Sequence, residues 1–98
     1  MGRPCARKNE KGVTHCSGFK IVSASGNVKV NGRGVVRKGD RSSVHFKPAG
    51  FKCRPHVSKV AKGSRSVKVN GRSVARRFDK MSSCTAIASG SSNVLVGG

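Results

Sequence analysis

The chain has 98 residues, enough for one domain and a small core, so a metal, a disulfide or a partner is expected to help hold it. Hydrophobic residues make up 35% of it, with four Phe and no Trp or Tyr. Lys and Arg number 21 against three acids, Glu10, Asp40 and Asp79, a formal net charge of +18 that predicts an anionic partner or a solvated basic field. No run approaches the roughly 18 apolar residues that span a bilayer, and the opening MGRPCARKNE has no signal-type apolar stretch. The expectation is a soluble cytoplasmic product whose Cys5, Cys16, Cys53 and Cys84 are thiols or metal ligands rather than disulfides.

Taken in chain order, the first segment, GRPCARKNEK (2–11), gains its meaning from the second. It aligns with GRGVVRKGDR (32–41) at an offset of 30, with Glu10 in the place of Asp40. The second begins at VKVNGR (28–33), where alternating Val and Lys give the period of a half-buried strand and Asn-Gly gives a hairpin turn. The same VKVNGR returns at 67–72, offset by 39, and carries Val35 onto Val74, Arg37 onto Arg76 and Asp40 onto Asp79. The last segment, NVLVGG (93–98), aligns with NVKVNG (27–32). Joined to the first, it completes a third copy that the chain ends cut open. The predicted architecture is all-β: short hairpins about a pseudo-threefold axis, Val inward and Lys and Arg outward, with the two ends of the chain paired as strands. No window shows helical periodicity.

Metal-binding residue types fall on this register. His15, His45 and Cys84 each lie five residues after the acid of their copy. A threefold arrangement brings them to one axis, where a single ion could take all three. A closed tetrahedral site needs a fourth donor. Its source is the surplus of nine residues between His45 and Cys84, which holds Cys53 and His56. His56 is preferred, with Cys53 the competitor. Zinc suits three His and one Cys, with iron the main rival. Cys5 aligns with Val35 and Val74 and is expected in the core; Cys16, adjacent to His15, is a weaker ligand candidate.

With all four positions filled by protein, no site remains for water or substrate, and the three acids read as turn caps paired with nearby Arg. No P-loop, G-x-S-x-G or H-E-x-x-H pattern occurs. The expectation is therefore a protein that is not an enzyme and takes no small-molecule substrate.

These residues resemble the PAAR-repeat family. Residues 88–98, ASGSSNVLVGG, match a segment with which such chains often end. The Pro-Ala-Ala-Arg signature has drifted to Pro4-Cys5-Ala6-Arg7, Gly34-Val35-Val36-Arg37 and Ser73-Val74-Ala75-Arg76, keeping the Arg in every copy. The resemblance covers residues 1–98 as a single domain. It implies a small pointed cone of short strands that caps and sharpens a trimeric β-helical spike, one copy per trimer, in a contractile injection machine. It also implies a metal near the apex held by three His and one Cys, matched by His15, His45, His56 and Cys84. A chain without an effector extension is more similar to the phage form, which implies a virion location at the tip of the tail baseplate spike and transient contact with the anionic bacterial envelope. Ile21, Val22, Ile87 and Leu95 are the expected spike-facing residues. The rival reading is a small basic zinc protein that binds nucleic acid; the lack of Tyr, Trp and C-x₂-C spacing opposes it, and no nucleic acid is expected.

Overall fold

The computed structural model describes residues 2–14, 18–49, 52–82 and 84–97. Asn-Gly turns decide the local structure. Asn31 and Gly32 hold φ of 54° and 78°, Asn70 and Gly71 hold 54° and 76°, and these positive values match the twist of the flanking strands. They fold β2 (Lys29–Val30) onto β3 (Arg33–Gly34) and β6 (Lys68–Val69) onto β7 (Arg72–Ser73). The third hairpin is made by the chain ends. β1 (Arg3–Pro4) pairs antiparallel with β8 (Leu95–Val96), with Arg3 opposite Val96 as Arg33 is opposite Val30. The expected meeting of the two ends is therefore observed. No helix occurs among the described residues, so none there is long and apolar enough to cross a membrane.

Two-residue strands do not hold a sheet on their own, so the copies must hold one another. They do so in closed cycles. Ala6 N–H donates to Ala75 O, Ala75 N–H to Val36 O and Val36 N–H to Ala6 O, at 2.9–3.0 Å. A second cycle, at 2.8 Å, runs from Lys8 N–H to Gly34 O, Lys38 N–H to Ser73 O and Arg77 N–H to Pro4 O. Inside these rings the side chains stack in layers. Cys5, Val35 and Val74 form one with Val96, and Cys5 has the predicted core position. Ala6, Val36 and Ala75 form the next, followed by Ile21, Val60 and Ile87 with Phe19 and Met81.

Each signature Arg reaches the acid three residues on. Arg37 binds Asp40 and Arg76 binds Asp79, each with Nε at 3.0 Å, and Arg7 Nε lies 2.6 Å from Glu10. The turn between Arg and acid closes by a 3.0 Å backbone bond and places Asn9, Gly39 or Phe78 at positive φ. Every acid also takes an Arg from the next copy: Glu10 from Arg33 at 3.7 Å, Asp40 from Arg72 at 2.8 Å, and Asp79 from Arg3. The acids are buried, so the expected pairing of carboxylates with Arg is observed, and it crosses between copies.

Three serines the sequence reading passed over repeat the same logic. Ser25, Ser64 and Ser91 are buried, and each accepts the backbone N–H groups two and three residues on. Ser25 also donates to Asn70 Oδ1 and Ser91 to Asn31 Oδ1. In the cut copy Gly97 stands where the others have Asn31 and Asn70, and its O accepts from Ser64 at 2.6 Å and from Arg76 at 3.3 Å instead.

Two expectations are corrected. Ile21 and Ile87 are not surface residues: both are fully buried, because their backbones bond back to the acids of the turns and turn the side chains onto the axis. The segment after His45 is not a plain loop: β4 (His45–Ala49) pairs with β5 (Lys52–His56) in full register. Pro48 and Pro55 are accommodated because the ribbon has only two strands, each paired on one side in its sheet.

Asp40 gives an acid-stability prediction. Burial alone would raise its carboxyl, but bonds from the Arg37 side chain and backbone and from Ser23 outweigh this and hold it below its ordinary value. A depressed folded value means that the stabilisation is complete above the unfolded value of about 3.9 and is lost as pH falls through the folded one. Asp40→Ala leaves Arg37 and Arg72 facing an empty position and is expected to cost about 3–5 kcal/mol in urea unfolding at pH 7. The difference between wild type and variant should shrink below pH 4.

Candidate metal centre

The β4–β5 register places His45 directly opposite His56, so the two imidazoles share one face of the ribbon. Their ring centroids lie 4.2 Å apart at 63°. Cys84 approaches from the copy that begins at Val67, packed against the main core cluster. His45 Nε2 lies 3.3 Å from Cys84 Sγ, and His56 Nε2 lies 3.7 Å from it. Ligand atoms of all three residues fall within 4.8 Å of one another.

The donor set fits a tetrahedral ion. Metal–sulfur and metal–nitrogen bonds of the usual zinc lengths separate S and N by about 3.5 Å, which the two observed distances bracket. The tautomer fits as well. His45 is buried, and its Nδ1 lies 2.9 Å from Ser43 O, a group that only accepts. Nδ1 therefore donates, and Nε2 offers its lone pair toward Cys84. Phe19 stacks on His45 at 4.1 Å and shields this ring from water. Cys84 is not in a disulfide, so its sulfur keeps the chemistry of a metal ligand.

His15 and Cys16 lie outside the described residues. The structure thus brings together His45, His56 and Cys84 of the expected four. Cys53 does not compete for the site. It is disulfide-bonded, which corrects the expectation of thiols throughout. Its strand position faces Pro48, three residues from His56 on the exposed part of the ribbon. The expectation of thiols followed from compartment, and compartment says nothing about which sulfurs a ribbon brings within reach.

Phe19 was missed because its place depends on a residue that is absent. Gly12 aligns with Ser42 and Met81 in the other copies, and a Cβ there would lie 1.8 Å from the Phe19 ring. The missing side chain of one copy is replaced by Phe19. A Gly followed seven residues later by Phe carries no recognisable signal on its own.

The family model for the PAAR motif matches residues 50–98. The chain belongs to the PAAR motif family. The match spans the copy that begins at Val67 and the closing strand, and it includes His56 and Cys84. PAAR motif proteins are structural spike tips, and the match supports association with the spike of a contractile injection system. No curated protein matches the chain.

Cys84→Ser and His56→Ala are expected to lower bound metal, measured by elemental analysis of purified protein, at least tenfold, as loss of one donor from a four-donor site predicts. A chelator should lower the thermal midpoint of wild type and leave that of Cys84→Ser unchanged. Gly12→Ala forces Phe19 away from His45 and should cost about 1–3 kcal/mol in denaturant unfolding.

Proposed function

We propose that residues 1–98 act as one domain that caps a trimeric β-helical spike, one copy per trimer, at the tip of a phage tail baseplate. The role is mechanical, not enzymatic: the tip closes the spike, sharpens it and meets the bacterial envelope first. The observation that carries the reading is an apolar face built in triplicate. Val28 and Val30, Val67 and Val69, and Val94 and Val96 line one end of the core, two from each copy, with Leu95 added where the other copies have Lys29 and Lys68. Val28, Val67 and Leu95 are exposed, the last at 61%. A single chain can fit the end of a threefold trimer only if it offers three near-equivalent contacts, and this face offers them. An exposed apolar patch of this kind is also what a docking surface requires.

Of the residues expected to face the spike, Leu95 belongs to this end. Val22 is exposed but lines a flank groove with Lys8 and Arg33. Ile21 and Ile87 are excluded by burial.

At the other end of the layered core, His15, His45, His56 and Cys84 are proposed to hold zinc. The ion would link three copies and the ribbon, and its binding free energy would become folding free energy. It supplies no reaction, because protein donors fill every position.

The test is co-expression with a trimeric β-helical spike of such a machine. Wild type should co-purify at one chain per trimer. Val28→Asp combined with Val67→Asp should retain the thermal midpoint within a few degrees, since both side chains are exposed, yet reduce capture at least tenfold by burying two unpaired charges. Capture unaffected by the two aspartates would remove this face from the reading.

A further inference from the structure

Phe78 breaks the threefold pattern at a position where the break is unfavourable twice over. Its φ is 73°, a conformation that Asn9 and Gly39 occupy in the other copies and that a bulky aromatic rarely adopts. Its ring is also 57% exposed, so no core burial offsets the strain. The guanidinium of Arg77 lies 4.5 Å from the ring centroid on one side. Phe78 borders a surface groove lined by Arg3, Lys62, Arg65 and Lys80. The one carboxylate there, Asp79, is buried and already engaged by Arg76 and Arg3. Lys62, Arg65 and Lys80 are exposed and have no carboxylate partner among the described residues.

The geometry points to a binding site for a phosphorylated sugar, the headgroup of an envelope glycolipid: the pyranose face lies on Phe78 and its phosphates lie among the cations. A groove with several free cations calls for an anion, and the exposed ring adds an apolar platform that phosphate alone does not use. Single-stranded nucleic acid would need a succession of stacking platforms along a basic track. This groove holds one ring in a compact cluster. The assignment rests on the envelope-contact part of the proposed function and is independent of spike capping.

The discriminating variant is Phe78→Asn, which installs the residue found at the same φ in the first copy. It should fold with an equal or higher thermal midpoint, retain its metal content and cap the spike as wild type does. The probe is phosphatidylcholine vesicles carrying lipid A, a bisphosphorylated glucosamine disaccharide lipid, compared with phosphatidylglycerol vesicles of matched surface charge and with a short single-stranded oligodeoxynucleotide, all at 150 mM salt, roughly physiological. Wild type should prefer lipid A over phosphatidylglycerol by about tenfold, and Phe78→Asn should lose that preference while keeping residual binding to both. Replacing Lys62, Arg65 and Lys80 together by Gln should weaken binding to both vesicles. Equal wild-type binding to the two vesicles overturns the site, as does an undiminished preference in Phe78→Asn or tighter binding to the oligonucleotide. A chain that prefers lipid A yet fails to cap a spike would instead overturn the proposed function alone.

Discussion

Three buried carboxylates, each shared between an Arg of its own copy and an Arg of the next, are the constraint on which the rest of this structure depends. Glu10, Asp40 and Asp79 are the only side-chain acids, so the 21 Lys and Arg compete for three partners. Those that win are fixed by the fold: one from the signature position, one from the strand after the neighbouring turn. A buried carboxylate with one Arg would tie a turn to itself. With two it ties one copy to another, and because the third copy returns to the first, the chain closes on itself. Isolated ion pairs at a surface contribute little. Here the carboxylates are buried although the Arg reaching in from the next copy are partly exposed, and the pairs form a ring, so that removing any carboxylate leaves two cations unmatched at once.

The ring makes three positions equivalent, and the protein then uses the differences among them. Gly12, Ser42 and Met81 occupy one position of the repeat. Gly12 admits the Phe19 ring, Ser42 Oγ lies 3.4 Å from His45 Nδ1, and Met81 fills the core. A fully symmetric chain would have three copies of one contact and no room for the β4–β5 ribbon that brings His56 to the axis. The metal centre is therefore a symmetric frame with one asymmetric insertion, and the insertion supplies the donor that the frame lacks.

What was legible in the sequence was whatever recurs. The Asn-Gly turns, the Arg and acid three apart, and the cut third copy all repeat, and repetition reveals a register without any knowledge of contacts. From that register the pairing of the chain ends and the convergence of His45 and Cys84 follow. The single occurrences were illegible for physical reasons. Ile21 and Ile87 sit in stretches without strand periodicity, where isolated bridges rather than ladders set the direction of each side chain, so alternation gives no warning that they point inward. The ribbon carries two prolines, which do not read as strand residues until its two-stranded pairing is known. The Cys53 disulfide depends on proximity across the fold, which spacing does not encode.

Layering gives each end of the core a separate task. At the valine end the hairpins leave apolar side chains exposed, Val28, Val67 and Leu95 among them. At the other end backbone bonds still tie each copy to its neighbouring segments, Val13 N–H to Ala86 O, Ser43 N–H to Lys20 O and Ser82 N–H to Lys59 O at 2.7–2.8 Å, two residues before His45 and Cys84. In the proposed tip role this is the end that takes the load, and side chains there add to the backbone's resistance to spreading. A tetrahedral ion held by donors from different copies would supply that resistance with four short bonds in the smallest possible volume.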